Sequence, residues 1–183
     1  MDYGKEQLNK LLLTMDEEAT LLLNHEKRVR YPVVIVGGSA LLLRDLTNRP
    51  TTRDIDVLDF HETLRGVLSN YAAVSNAVAA YIDQIPYNFE DRLERIELST
   101  KTIEFLTPSI EDIAVMKLYG WRHNDQQDLE SLVEHERLDW IALDHLVYDP
   151  TEAQASALSP RRYSEMVSTY EKFARRHGHD PNV

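Results

Sequence analysis

The sequence contains no cysteine, only 6 glycines, and no apolar run long enough to cross a membrane. Without cysteine, the chain has neither a disulfide framework nor a cysteine-based zinc site. A membrane-spanning helix needs roughly 18 consecutive apolar residues, and a secretory signal needs a basic segment followed by an apolar one. Neither pattern is found, so we expect a soluble, cytoplasmic protein that does not associate with membranes.

Positive charge is also scarce, because 31 acidic residues face 20 Lys and Arg residues and leave a net charge of −11. Broad binding to duplex nucleic acid depends on Lys and Arg displacing counterions from phosphates, so this function class is disfavoured. Three kinds of partner stay open on charge alone: a small phosphate-bearing ligand, a nucleic-acid end in a local basic groove, and a basic protein.

Hydrophobic periodicity predicts helices and short strands in a definite order. An amphipathic helix is predicted over residues 8–23, and strands with buried or alternating apolar residues are predicted at 33–36, 54–60 and 101–106. Residues 64–82 are predicted to be mostly helical. Helices are predicted from Thr107, as an N-cap followed by Pro108, to the C-terminus.

This order predicts an α+β fold in which a small mixed sheet is flanked by helices and the C-terminal half is entirely helical. Residues 1–106 would form the core together with the N-terminal helix. Residues 107–183 would form a helical region that packs on this core to give one compact unit.

The turn after the first predicted strand contains two adjacent glycines, within VIVGGSALLLRDL at 34–46. A strand, then Gly37, Gly38 and Ser39, then a helix is a geometry that binds anions. Free amides at a helix N-terminus carry partial positive charge, and glycine lets a phosphate approach the backbone. The same residues also make an ordinary tight turn with a serine cap, and their spacing alone does not separate the two interpretations.

Two aspartates, Asp54 and Asp56, alternate with Ile55 and Val57 in the next predicted strand. Residues i and i+2 of a strand point to the same face, about 6.6 Å apart. Two carboxylates so placed suit Mg²⁺, which takes one or two carboxylates and completes its shell with phosphates and water. A half-exposed strand also alternates polar and apolar residues, but aspartate is unfavourable in strands, so alternation alone does not explain this choice.

The order GGS, helix, DID resembles the signature of the polymerase-β-like nucleotidyltransferase superfamily. Within it, the chain most resembles small bacterial proteins related to the AbiEii toxins and to the minimal nucleotidyltransferases of toxin–antitoxin systems. The resemblance extends to RPTTRDIDV, PYNFEDRLERIEL, TPSIEDIAVMKL and NDQQDLESL, and together these segments cover about residues 30–135.

This resemblance implies a nucleotidyltransferase site with Mg²⁺ or Mn²⁺ as cofactor and an NTP as substrate. The implied metal ligands are Asp54, Asp56 and Glu104. The implied nucleotide-binding residues are Gly37, Gly38, Ser39, Arg53, Lys117, Asp125 and Asp128. The implied catalytic residues are Asp54, Asp56, Glu104 and Lys117. A solvent-facing glutamate on an edge strand explains Glu104 equally well.

Lys117 lies on the apolar stripe of its predicted helix, in phase with Ile113 and Leu118. A lysine there either extends its charged end to the surface or reaches a phosphate or carboxylate in a cleft. Asp125 and Asp128 share the inward face of the next predicted helix. They either cap its first turn or orient Lys117.

We therefore expect Mg²⁺-dependent transfer of an NMP to a hydroxyl group on a protein or a tRNA end. The resemblance places this activity in a toxin–antitoxin or phage-defence system with a cognate toxin or antitoxin as partner, and the acidity favours a protein acceptor. The alternative is a non-catalytic nucleotide- or partner-binding module, an antitoxin or scaffold, on the same fold.

Overall fold

A computed structural model describes residues 2–23 and 29–181 of the chain. The chain divides into two units. Unit 1 comprises Met1–Asp45, Arg49–Ala79 and Leu93–Thr107, and unit 2 comprises Leu46–Asn48, Ala80–Arg92 and Pro108–Val183. The domain boundary expected after residue 106 stays a prediction.

The predicted strands are all present in the described residues, together with two short strands that the sequence pattern does not predict. The strands are β1 (Tyr31–Val36), β2 (Ile55–Phe60), β3 (Val74–Ser75), β4 (Glu94–Arg95) and β5 (Ile103–Thr107). The α-helices are α1 (Lys5–Leu22), α2 (Gly37–Leu43), α3 (Arg65–Leu68), α4 (Ile110–Gly120), α5 (His123–Glu134), α6 (Trp140–Tyr148), α7 (Ala153–Ser156) and α8 (Pro160–Arg176). Short 3₁₀ helices span Glu62–Leu64, Ala77–Gln84 and Phe89–Arg92. Within residues 2–23 and 29–181, every helix is too short or too polar to span a bilayer.

The five strands form one mixed sheet in the order β3-β2-β1-β5-β4. The central strand β1 pairs antiparallel with β2 and parallel with β5, and its residues 33–36 are all buried. A strand covered on both faces is expected to be continuously apolar, which explains VVIV. The predicted fold class, a mixed sheet flanked by helices with a helical C-terminal half, is confirmed.

A buried aspartate joins helix α1 to the start of β5. Asp16 is 4% exposed, and its carboxylate accepts the backbone N–H groups of Lys101, Thr102 and Ile103 at 2.8, 2.8 and 2.7 Å. Hydrogen bonds to a charged acceptor are among the stronger ones in proteins. They fix the position at which β5 enters the sheet beside β1.

Two local predictions differ from the structure. Residues 64–82 do not form one helix, because Val74 and Ser75 pair with β2 as the edge strand β3 and leave only short helices on either side. Helix α4 is capped by Ser109 rather than Thr107: the Ser109 hydroxyl accepts the Asp112 N–H at 3.1 Å. Thr107 instead ends β5, where pairing with β4 outweighs its capping tendency.

Unit 2 contains an ionic cluster in which half-buried Arg92 binds two buried carboxylates, and we call it the Arg92 cluster. The guanidinium donates to Asp112 at 3.1 and 2.8 Å and to Glu152 at 3.0 and 2.9 Å. Burial lowers the pKa of Arg92, but the hydrogen bonds that its guanidinium donates to Asp112 and Glu152 outweigh burial and raise this pKa. The cation therefore stays charged and orients both carboxylates.

Three tyrosines in the helices of unit 2 have buried hydroxyl groups in different surroundings. Within the described part of the chain, the Tyr119 and Tyr148 hydroxyls have no hydrogen-bond partner, whereas the Tyr170 hydroxyl donates to Asp144. Burial raises the pKa of Tyr119 to about 12 and that of Tyr148 to about 12. Burial, followed by the hydrogen bond with Asp144, also raises the pKa of Tyr170.

Replacing Tyr119 and Tyr148 together by phenylalanine should make the free energy of unfolding fall less steeply as the pH rises above 10. An unfolded tyrosine ionises near pH 10, so between about pH 10 and 12 the unfolded state has fewer bound protons and the free energy of unfolding falls. Urea unfolding at pH 8 to 11 would measure this. The double variant should match or exceed wild type at pH 8, since it loses two unpaired hydroxyls, and should exceed it increasingly above pH 10. Parallel curves for the two proteins would contradict the prediction.

Candidate functional site

The glycine pair lies where the central strand β1 ends and α2 begins. Gly37 has φ +69°, a left-handed conformation that favours glycine, so the chain turns sharply after Val36. Ser39 is 1% exposed, and its hydroxyl donates to the Val36 carbonyl at 3.1 Å. The Ser39 side chain therefore stabilises the turn from inside.

The carboxylate of Asp56 lies directly against this turn. Asp56 pairs with Val36 across β1 and β2, and a Cβ atom built on Gly37 would lie 2.9 Å from the Asp56 Oδ2 atom. A side chain at position 37 would therefore displace the carboxylate. The glycine requirement here comes from the fold as well as from the turn conformation.

Arg49 lies on the second glycine of the pair. A Cβ atom built on Gly38 would be 2.0 Å from Arg49 Nη2 and 3.2 Å from its Cζ atom. The glycine pair thus has a carboxylate on one residue and a guanidinium on the next. The sequence pattern does not assign Arg49 to the site. No signal in the spacing of Arg49 indicated that its side chain would approach Gly38.

The first aspartate and its neighbour are more open to solvent. Asp54 and Arg53 are exposed immediately before β2, while Ile55 and Val57 are buried and Asp56 is half-buried. The predicted alternation is therefore confirmed for residues 55–57. It ends at Leu58, which is buried and forms a bulge between the pairs Val34–Asp59 and Ile35–Val57.

Glu104 and Asp56 pair with different residues of β1 and therefore lie in different rows of paired residues across the sheet. Glu104 pairs with Pro32 of β1, whereas Asp56 pairs with Val36, so the two rows are four residues apart on one strand. Four residues correspond to about 13 Å along a strand, and Mg²⁺ holds its ligands at about 2.0–2.1 Å. The Glu104 carboxylate is paired with Arg95 Nη2 at 2.9 Å. The sheet does not bring Glu104 to Asp56, and its role as a third metal ligand stays a prediction.

In unit 2, three of the predicted site residues form one cluster, called the Lys117 cluster. The Lys117 ammonium is 2.6 Å from Asp128 Oδ2 and 3.3 Å from Asp125 Oδ1. Lys117 is 5% exposed and Asp128 is fully buried. Thr47 also donates to Asp128 at 2.7 Å, and Asp125 accepts the Arg122 N–H at 3.0 Å. The Lys117 side chain therefore reaches carboxylates and does not extend to the surface. Asp125 both caps the first turn of α5 and pairs with Lys117.

The donor atoms at the turn in unit 1 suit a hard cation. Asp54 and Asp56 offer carboxylate oxygens, which Mg²⁺ prefers, and two such ligands suffice when a substrate supplies phosphates. In residues 2–23 and 29–181, no three His, Asp or Glu side chains are grouped closely enough to hold a metal by themselves. Any metal bound here would therefore share its coordination shell with a ligand or water.

The central strand of the mixed sheet ends in a glycine turn with an aspartate of the next strand against it, as the resemblance to nucleotidyltransferases implies. Comparison with protein families agrees: the model of the family described as "Nucleotidyltransferase of unknown function (DUF6036)" matches residues 10–177, so the chain belongs to this family. No curated protein and no solved structure matched the chain.

The two glycines should respond differently to a methyl group. Gly37→Ala should lower the free energy of unfolding by about 1–2 kcal/mol, because an alanine is strained at positive φ. Gly38→Ala has no such strain and meets only the movable end of Arg49. Urea unfolding should show a smaller loss for Gly38→Ala, and this loss should vanish when Arg49 is also replaced by alanine. Equal losses with and without Arg49 would contradict the observed contact.

Removing the cation of the Lys117 cluster should destabilise the protein strongly. Lys117→Met leaves Asp128 as a buried carboxylate without its ammonium partner, a change that typically costs about 3–5 kcal/mol. Replacing Asp128 by asparagine in the same chain should recover part of this loss, because the buried negative charge is then removed. Chemical denaturation of both variants measures the effect. A single variant as stable as wild type would show that the cluster has no structural role.

Proposed function

We propose that the protein transfers a nucleoside monophosphate from an NTP to a hydroxyl group, at the glycine turn of unit 1. The observation that supports this best is the Asp56 carboxylate against Gly37, directly beside the guanidinium on Gly38. A carboxylate and a cation at one glycine turn offer a place for a metal ion and a place for phosphate oxygens. Membership of a nucleotidyltransferase family over residues 10–177 supports the same chemistry.

In this proposal, Asp54 and Asp56 hold Mg²⁺ or Mn²⁺. Such an ion, when bound, neutralises the triphosphate and stabilises the charge that develops during transfer. Because Gly37 and Gly38 have no Cβ atoms, Asp56 and Arg49 come close to the backbone of the turn, where they would meet the metal ion and the phosphates. Arg49 and Arg53 add positive charge at the turn and on the segment entering β2. Ser39 contributes through its position in the turn, because its hydroxyl is held by Val36.

The residues of the chain would act mainly by positioning and electrostatics. An aspartate beside the turn would accept the proton of the acceptor hydroxyl, while fixed positive groups would stabilise the leaving pyrophosphate. The resemblance implies that Lys117, Asp125 and Asp128 bind nucleotide. Their cluster in unit 2 already neutralises the ammonium, so the proposal assigns them the structural role described above. Glu104 is left out of the metal site because its row of the sheet is distant from that of Asp56.

We further propose that the acceptor is a hydroxyl on a protein, with a tRNA end as the other candidate, in a cytoplasmic toxin–antitoxin or phage-defence setting. The net charge of −11 supports a protein acceptor, since a polyanion would be repelled outside local basic sites. The resemblance to AbiEii-related proteins supports this setting and a cognate toxin or antitoxin as partner.

A second candidate function is a module that binds nucleotide without turnover. The observation that favours it is the Arg95–Glu104 ion pair, which occupies the carboxylate expected as the third metal ligand. Calorimetry with Mg-ATP and Mg-GTP, combined with the transfer assay below, separates the candidates. Metal-dependent nucleotide binding without any transfer would favour the module.

Replacing Asp56 or Asp54 by asparagine should reduce nucleotide transfer by about 100-fold or more, because the shape is kept and the charge that holds the metal is lost. The assay would mix the protein with each of four α-labelled NTPs, Mg²⁺ and cell extract, and follow label in macromolecules. Asp59→Asn is the matched control, since Asp59 is an exposed aspartate on the same strand β2.

Digestion of the labelled product with protease or with ribonuclease identifies the acceptor class. Chelation of Mg²⁺ by EDTA should abolish transfer, and Mn²⁺ should restore it. Absence of transfer from every NTP, or equal transfer by wild type and Asp56→Asn, would refute the catalytic proposal.

A further inference from the structure

A cavity of about 490 Å³ lies within unit 2, between the segment 82–91 and the segment 155–158. We call it the 82–91 groove. Its floor and walls are mainly apolar, with Ile85, Pro86 and Phe89 buried. Ligand-binding clefts in proteins usually have volumes of about 300–1,000 Å³ and mainly apolar linings. The groove is therefore large enough to receive several side chains.

Apolar surface continues outside the cavity at its mouth. Ile82 is 47% exposed, Tyr87 is 66% exposed and Leu158 is 84% exposed, although all three also line the cavity. Contiguous exposed apolar groups on a soluble protein mark surfaces that contact another molecule. A compound that only filled the cavity would leave these side chains in water, whereas an extended peptide segment would cover them as well.

The charged residues that line the groove are all negative. The lining includes the carboxylates of Asp83, Glu90 and Asp91 and contains no Lys or Arg. Arg162 approaches one of them, Asp83, at the long distance of 3.9 Å. Carboxylates beside an apolar, low-dielectric wall attract a cation more strongly than they would in open water.

The walls of the groove are held in place by the Arg92 cluster. Arg92 follows directly after the segment 82–91 and is bound to Glu152, just before α7. Asn88 also donates to Glu152, through its side chain at 3.2 Å, and the Tyr87 N–H donates to the Glu152 carbonyl at 3.4 Å. Both walls are thus tied to one residue, and a preformed site spends less binding energy on ordering itself.

We infer that the 82–91 groove is a docking site for a partner protein, which inserts a segment with aliphatic or aromatic side chains next to Arg or Lys. The apolar wall receives the hydrophobic side chains, and the three carboxylates receive the basic ones. This inference is independent of the proposed nucleotidyl transfer. The docking site gives a role to the segment PYNFEDR, which has none in the proposed transfer site.

The test is a direct binding measurement on the full-length protein. The probe is a fluorescein-labelled peptide, Arg-Leu-Phe-Arg, followed by fluorescence anisotropy. The control probes Glu-Leu-Phe-Glu and Arg-Ser-Ser-Arg lack the charge and the apolar part, respectively. Saturable binding of Arg-Leu-Phe-Arg, with both controls at least 10-fold weaker, is the expected result. Its affinity should fall with added salt. No saturable binding up to about 1 mM, equivalent to about −4 kcal/mol, would overturn the inference.

Matched charge reversals show whether binding occurs at this groove. Glu90→Lys with Asp91→Lys should weaken the peptide at least 10-fold. Glu6→Lys with Glu17→Lys makes the same change in net charge at exposed positions of α1 and should leave the affinity within 2-fold of wild type. Leu158→Ser should also weaken binding. Equal losses in both charge-reversed proteins would mean non-specific attraction and would refute the site.

Light scattering on the protein without peptide tests whether a second copy of the chain occupies the groove instead. The chain should be monomeric, because a second copy with net charge −11 is repelled by an acidic groove. A dimer that dissociates in the Glu90→Lys, Asp91→Lys protein would show that the groove binds a second copy and would overturn the inference of a basic partner.

Discussion

The closeness of two charged side chains to a glycine pair is the constraint on which the candidate site depends. Asp56 and Arg49 occupy the positions that Cβ atoms at residues 37 and 38 would need. At Gly37 the left-handed backbone and the carboxylate both require glycine before any ligand is considered, whereas at Gly38 only the movable end of Arg49 is in the way. This requirement changes the interpretation of the motif: the backbone is bare because the chain's own carboxylate and guanidinium already approach it. A ligand that binds there meets both charges at once, and this makes the turn suited to an anion accompanied by a metal ion.

The central strand β1 determines which residues can meet at that turn. Because β1 pairs with β2 on one side and β5 on the other, the register of both pairings is fixed by one buried apolar strand. Antiparallel pairing brings the beginning of β2, with Asp56, to the end of β1. Parallel pairing places Glu104 near the beginning of β1 instead. A single topological fact thus separates two carboxylates that the sequence motif alone would place together.

Periodicity and motif order were sufficient to predict the fold class, the strand at 33–36 and the alternation around Asp56, because each depends on neighbours close in sequence. Contacts between distant segments were not predictable in this way. The fold-back of Arg49 onto Gly38 and the row of Glu104 depend on tertiary register, which leaves no local pattern. The stretch 64–82 shows the same limit, since its Val74 becomes a strand only by pairing with Ile55 of β2.

The two ionic clusters of unit 2 follow one pattern, in which each cation is bound by two carboxylates. The Lys117 cluster and the Arg92 cluster each carry a net charge of −1 when all members are ionised. Buried ion pairs contribute little net stability compared with apolar packing, but loss of one partner is costly, so such clusters mainly specify one arrangement of their helices. Lysine on an apolar helix stripe is therefore explained in this chain without a ligand. Because both clusters are themselves negative, they do not reduce the acidity available to a partner. The charged residues that line the groove beside the Arg92 cluster are all carboxylates, while Arg49 supplies positive charge at the glycine turn of unit 1. The sites proposed in the two units are consequently suited to ligands of opposite charge.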